Sequence, residues 1–155
     1  MISTALFLCM HVALWTQEPE PPRLCFTGRA EYTVDTILDA ATVILDQGGS
    51  KLKVALLGVK SGPGHSEEAK RFLVNLLKGE RVYVLYDRSP EDRDEFGRTL
   101  AYLHRAPDGL FVNLEIVRQG YCRTSSRVMF RHFPLFKAYE EKAMKAKKGM
   151  WSVPD

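Results

Sequence analysis

Apolar residues recur along the chain in two rhythms, and the switches between them mark the predicted elements. Thr42-Val43-Ile44-Leu45 is a β-branched, apolar run, and Leu52 to Val59 is a second strand. Gln47-Gly48-Gly49-Ser50 lies between them as a turn, so the two read as a hairpin. Gly62-Pro63-Gly64 then breaks the chain. Ser66 reads as an N-cap, with Glu67 and Glu68 in the first helical turn, where acids suit the helix dipole. Ala69, Phe72, Leu73, Leu76 and Leu77 fall at i, i+3, i+4, i+7 and i+8, which is one face of a helix. Gly79 ends it. Val82 to Tyr86 and Thr99 to His104 are further strands, the latter turned by Pro107-Asp108-Gly109. Asn113 reads as the cap of a short helix, Leu114 to Gln119, closed by Gly120. Pro134 sits where a first helical turn tolerates proline. Leu135, Tyr139, Ala143 and Ala146 are predicted to line one face of a last helix that stops at Gly149. This order of elements predicts an α+β domain built on a small antiparallel barrel.

The first 22 residues read differently, and the domain is placed at residues 23–155. Ile2 to Trp15 is an apolar run too short to span a bilayer comfortably. Its length suits the apolar stretch of a signal peptide, and the linker-like Gln17-Glu18-Pro19-Glu20-Pro21-Pro22 follows at once. The expectation is an exported protein, secreted or periplasmic. Against it, no Lys or Arg precedes the run and no clear A-x-A cleavage site follows. The alternative is a buried N-terminal strand or helix in a cytoplasmic protein. Cys9, Cys25 and Cys122 lack C-x-x-C spacing, which argues against a metal site. With the first segment removed, Cys25 and Cys122 remain to pair.

Composition places 155 residues in the globular class, with 45% hydrophobic and 26% charged residues, enough for one ordinary domain. The net charge is only +3, but it is uneven. From Ile116 to Met150 nine basic side chains (Arg118, Arg123, Arg127, Arg131, Lys137, Lys142, Lys145, Lys147, Lys148) face only Glu140 and Glu141, a local +7. Such a surface either attracts polyanions by counterion release or is simply a solvated helix face.

Several segments together resemble the staphylococcal nuclease (thermonuclease) family, from about Leu38 to Trp151. Asp94-Glu95-Phe96-Gly97-Arg98-Thr99-Leu100-Ala101-Tyr102 is similar to the family's D-x-Y-G-R-x-L-A-Y. Asp108-Gly109, Val112-Asn113 and Val117-Arg118-Gln119-Gly120-Tyr121 are similar to its D-G, V-N and L-V-R-Q-G-Y/L. Glu68-Ala69 and Lys148-Gly149-Met150-Trp151 match its E-A and K-x-G-L-W. The resemblance implies an OB-like five-stranded β-barrel with three helices. It also implies calcium-dependent hydrolysis of phosphodiester bonds in DNA and RNA. That chemistry needs oxygen ligands for a hard cation, a carboxylate to activate water, and cationic forks for the transition state.

The residues that the resemblance assigns to this chemistry are mostly replaced. Where the family has D-G-D-T, this chain has Asp39-Ala40-Ala41-Thr42, with Ala41 at the calcium-ligating Asp. Where the family has R-L-x-G-h-D-T-P-E, it has Ala55-Leu56-Leu57-Gly58-Val59-Lys60-Ser61-Gly62-Pro63. Ala55 thus replaces a catalytic Arg, Lys60 the second calcium ligand, and Pro63 the general base. Arg98 alone matches a family catalytic residue, and it could also simply pair with Asp94. The expectation is therefore no metal cofactor, and an anion pocket formed by Lys60, Arg98 and Lys53 from facing strand and loop. Lys53, two residues before Ala55, is on the same strand face and replaces the Arg as a point charge. Asp35-Thr36-Ile37 is an alternative D-T-I, and Glu67 or Glu68 an alternative carboxylate. Tyr121, Phe130 and Phe133 read as core residues before base-stacking ones, and His65, His104 and His132 as surface or turn residues.

Three functions follow from these readings. The first is a catalytically impaired domain that keeps unselective binding to DNA, RNA or phosphate. The second is a protein-interaction or structural scaffold. The third is an active endonuclease with rearranged ligands.

Overall fold

The computed structural model describes residues 29–87 and 92–152. The apolar N-terminal run, the Pro/Glu linker, Cys9, Cys25 and the boundary at residue 22 lie outside them. Among the described residues seven strands are present: β1 (Glu31–Asp39), β2 (Thr42–Gln47), β3 (Ser50–Leu56), β4 (Val59–Ser61), β5 (Arg81–Leu85), β6 (Thr99–Arg105) and β7 (Cys122–Thr124). Three α-helices join them: α1 (Ser66–Leu77), α2 (Val112–Arg118) and α3 (Phe133–Lys145). A 3-10 turn, Gly149–Trp151, follows.

Five strands close into a barrel in the order β1-β2-β3-β6-β5. All its pairs are antiparallel except β3 with β6, so the barrel is mixed rather than antiparallel. Together with the three helices this is the OB-like α+β fold that the resemblance implied. The hairpin β2–β3 turns where expected, with Gln47 opposite Ser50. Val43, Leu45, Val54, Val82 and Leu103 are fully buried along the barrel, and Leu73, Leu77, Leu114 and Phe136 bring the helices onto it. Each such side chain contributes about 1.5–3 kcal/mol by leaving water.

Five local readings need correction. β1 was missed because register shifts between Val34 and Thr36 and between Ile37 and Asp39 break its two-residue rhythm. The strand Leu52 to Val59 is in fact two, β3 and β4, separated at Gly58. That glycine has φ +80°, and a Cβ on it would lie 2.6 Å from the Phe130 ring, so a side chain is excluded both sterically and conformationally. β7 has only three residues and carries no periodic signal. The N-cap of α1 is His65, one residue before Ser66, and no side chain caps that end. On α3 the buried face is Phe136, Glu140 and Ala143, while Leu135 and Ala146 face solvent. Sealing Glu140 are the Thr124 N–H at 3.2 Å and the Lys137 ammonium.

Asn113 also departs from expectation. It lies inside α2 and is fully buried. Its Oδ1 accepts the Leu103 N–H at 2.8 Å, and its Nδ2 donates to Leu57 O and Ala101 O at 3.0 Å each. One amide therefore serves three backbone groups, of which the Leu103 N–H and Leu57 O rely on it while Ala101 O also accepts the Leu57 N–H. His104, expected at the surface, is buried on β6 and stacks on Phe111 with centroids 4.6 Å apart. Burial lowers its pKa and so favours the neutral ring.

Replacing Asn113 by Ala strands the Leu103 N–H and Leu57 O, while Ala101 O keeps the Leu57 N–H, so Asn113→Ala is expected to cost about 2–5 kcal/mol of stability. Urea unfolding measures this; a loss under about 1 kcal/mol would show that the amide is dispensable.

Candidate nucleic-acid-binding site

The site is built at the corner where β1 turns into β2. Asp39 and Thr42 are cross-strand partners around Ala40-Ala41. Asp39 Oδ1 accepts the Ala41 N–H at 2.8 Å, which holds the turn from within. Thr42 lies opposite Ala55 on β3, and Ala55 opposite Leu100 on β6, so three strands align here.

Arg98 reaches this corner from just before β6. Its Nη1 donates to Thr42 Oγ1 at 2.8 Å, and its Nε donates to Asp94 Oδ2 at 2.6 Å. The other oxygen of Asp94 accepts the Phe96 N–H at 3.0 Å and the Arg98 N–H at 2.9 Å. The exposed Phe96 ring lies 5.1 Å from the guanidinium carbon. Desolvation raises the Asp94 pKa, but the Arg98 and Phe96 N–H groups and the guanidinium outweigh it and hold the carboxyl below its usual range. Of the two readings of Arg98, the pairing with Asp94 is the one the geometry displays. The guanidinium acts as a strut between loop and barrel.

The other predicted cations stand outside this hydrogen-bonded group. Lys53 is exposed on β3 opposite Ile44, on the face it shares with Ala55. Lys60 is exposed on β4, where it lies opposite Arg123 of β7. Arg123 was counted only as one of many basic residues, because β7 is too short to announce the strand that pairs it with Lys60. Asp35, the alternative D-T-I carboxylate, is exposed on β1 and held by Lys51 at 2.7 Å. Glu68 hydrogen-bonds the His65 ring at 3.2 Å, while Glu67 and Pro63 are exposed. Tyr121 stacks on Phe72 at 4.5 Å, and Phe130 packs edge-on against Phe133 and Phe136, which are packing roles.

The donors at this corner do not suit calcium. A hard cation wants several free oxygens, but Asp39 caps its own turn and Asp94 is saturated by two N–H groups and Arg98. Ala41 offers no side-chain oxygen, and Lys60 would repel the ion. Among the described residues no three His, Cys, Asp or Glu side chains converge. Cys122 is a buried free thiol 3.8 Å from Ala40 O, pushed up to about 12 by burial and then by the Asp39 charge.

The profile of the family described as staphylococcal nuclease homologue matches residues 58–153, more than half of the chain. The chain belongs to that family. A thermonuclease of Staphylococcus hyicus is 25% identical over 131 residues, 78% of this chain and 75% of that protein. A thermonuclease of Staphylococcus intermedius is 32% identical over 101 residues, 59% of this chain and 58% of that protein. An uncharacterized protein of Methanocaldococcus jannaschii is 25% identical over 146 residues, 75% of this chain and 69% of its own length. The family profile begins at Gly58, so Ala41 and Ala55 fall before it.

Two outcomes follow from this corner of the fold. A ligand that binds only the native state raises stability by RT ln(1 + [L]/Kd), so thermal melts in millimolar calcium and in chelator are expected to coincide. A rise of several degrees with calcium would show that the donor set had been misread. The lowered Asp94 pKa contributes stability that is present above the unfolded value near ~4 and is lost as pH falls through the native value. Asp94→Asn removes that titration, so variant and wild-type stabilities should converge in acid and separate at neutral pH. Parallel curves would count against the strut.

Proposed function

We propose that this family member is a catalytically impaired nuclease domain that retains unselective binding to nucleic acid or phosphate. One observation carries the reading. The metal and base positions of the family hold Ala41, Lys60 and Pro63, and Arg98, the one matched catalytic cation, is already engaged by Asp94 and Thr42. Loss of a general base alone costs roughly 10²–10⁴ in rate, and loss of the metal removes further charge stabilisation. The cations are meanwhile plentiful, and phosphate contacts need no special chemistry beyond positive charge. Family membership and the resemblance to thermonucleases support nucleic acid as the polyanion. Export belongs to the same proposal, supported by the apolar run Ile2–Trp15. Among the described residues no helix is long and apolar enough to cross a membrane.

Binding of a labelled single-stranded oligonucleotide, measured across a salt series, tests the reading together with digestion in calcium. The expected result is affinity that falls steadily with salt and no cleavage above the chelator control. Calcium-dependent cutting would restore the active-nuclease reading, and absence of any salt-dependent binding would favour the scaffold.

A further inference from the structure

The Lys60–Arg123 pair has a feature the rest of the fold does not explain. β4 and β7 form a two-stranded ribbon in which Val59, Lys60 and Ser61 lie opposite Thr124, Arg123 and Cys122. Directly opposed residues of an antiparallel pair project from the same face with Cβ atoms about 5 Å apart, and like charges there are destabilising. Both side chains are exposed, and neither makes an ion pair with any described residue. Lys53 on β3 also lacks an ion pair with any described residue but stands opposite Ile44, and four other cations differ. Lys51, Arg81, Arg98 and Arg105 each have a carboxylate.

Arg123 is also held in place. Its guanidinium carbon lies 4.6 Å from the centre of the Trp151 ring. Trp151 is fixed in turn, since its backbone N–H donates to Lys148 O at 3.0 Å and the Met150 N–H donates to Gly120 O at 2.9 Å. The approach is so close that a Cβ on Gly120, at φ +76°, would lie 2.3 Å from Lys148 O. The ribbon is anchored from the other side by Ser125 N–H on Gly58 O at 2.9 Å and by Thr124 N–H on Glu140. A guanidinium stacked on an indole keeps its N–H edge open, and that planar fork matches a tetrahedral oxyanion.

We propose that Lys60 and Arg123 form a phosphate-binding site on the β4–β7 ribbon, the fork of Arg123 oriented by Trp151 and Lys60 beside it as a point charge. This deepens the proposed function and rests on it for the choice of phosphate as ligand. It moves the anion from the corner of Arg98, whose Nε and Nη1 are engaged by Asp94 and Thr42, to a place where two cations lack an ion-paired acid. Phosphodiester groups of a single strand and free phosphate share the required chemistry.

The test uses the full chain and two probes. Oligonucleotide affinity is measured across a salt series for wild type, Lys53→Ala, Lys60→Ala, Arg123→Ala, Arg123→Lys and the double Ala variant of Lys60 and Arg123. Inorganic phosphate is titrated while the indole N–H signal of Trp151 is followed by NMR. The double variant is expected to lose at least tenfold in affinity and to flatten the salt slope by about 1.4, two phosphates' worth on a single strand. Arg123→Lys should fall between wild type and Arg123→Ala. Phosphate should shift the Trp151 signal in wild type but not in the double variant. Lys60→Ala should melt no lower than wild type at low salt, since it removes a repulsion, so loss of fold does not explain lost binding. Wild-type affinity and slope in the double variant, with Lys53→Ala weakened instead, would overturn this site and leave the nucleic-acid reading standing. A phosphate-induced Trp151 shift without oligonucleotide binding would support the site and overturn that reading. Neither response in wild type would overturn both.

Discussion

The side-chain amide of Asn113 is the junction on which the rest of the structure depends. It accepts from Leu103 and donates to Leu57 and Ala101, so it joins α2 to β6 and to the chain leaving β3. Leu57 N–H also donates to Ala101 O at 3.0 Å. Beyond that point the chain leaves the barrel at Gly58 and pairs with β7 instead of continuing along β6. The buried amide thus satisfies the backbone where a strand stops, which is costly to leave undone in a low-dielectric interior. Everything placed on the ribbon, Lys60 and Arg123 included, follows from that change of direction.

At the barrel corner, charge has turned inward. Asp39 holds its own turn and Asp94 holds Arg98, while the positions to which the resemblance assigns metal carboxylates hold Ala41 and Lys60. Asp94 satisfies the backbone of its loop as well as the guanidinium, and this double use keeps the carboxyl ionised over a wider pH range. A partly buried ion pair of this kind gives its geometry at least as much as its energy, since desolvation offsets much of the Coulomb gain. Arg98 therefore fixes the loop of residues 94–98 against Thr42, and its positive charge is largely spent within the protein.

On the ribbon the balance is the opposite. Lys60 and Arg123 repel each other across a two-stranded sheet, a placement that lowers stability and that the surrounding packing tolerates. Trp151 restrains one of them through its ring face, while the C-terminal turn that carries Trp151 is itself pinned to Gly120. The ribbon thus carries two uncompensated cations side by side, while Lys51, Arg81, Arg98 and Arg105 around the barrel each have a carboxylate.

Much of the frame is determined by sequence alone, because it rests on local periodicity and turn chemistry. The β2–β3 hairpin, α1 with its Ala69, Leu73 and Leu77 face, and the positions of β5, β6 and α3 follow from two- and 3.6-residue rhythms and from glycine placement. That Ala41, Ala55, Lys60 and Pro63 carry no ligating side-chain oxygen is equally visible, since alanine, lysine and proline have none in any fold. Tertiary structure decided the rest. The bulges of β1 erase its alternation, and the Phe130 ring that excludes a side chain at the Gly58 break comes from 72 residues further along the chain. Asn113 resembles a helix cap until the barrel groups it serves are brought beside it. Arg98 and Thr42 are 56 residues apart, and Lys60 and Arg123 are paired only through a three-residue strand with no pattern of its own. Sequence names which side chains can carry charge. Which charges neutralise one another and which remain bare depends on long-range pairing, and only the closed barrel and its ribbon set that.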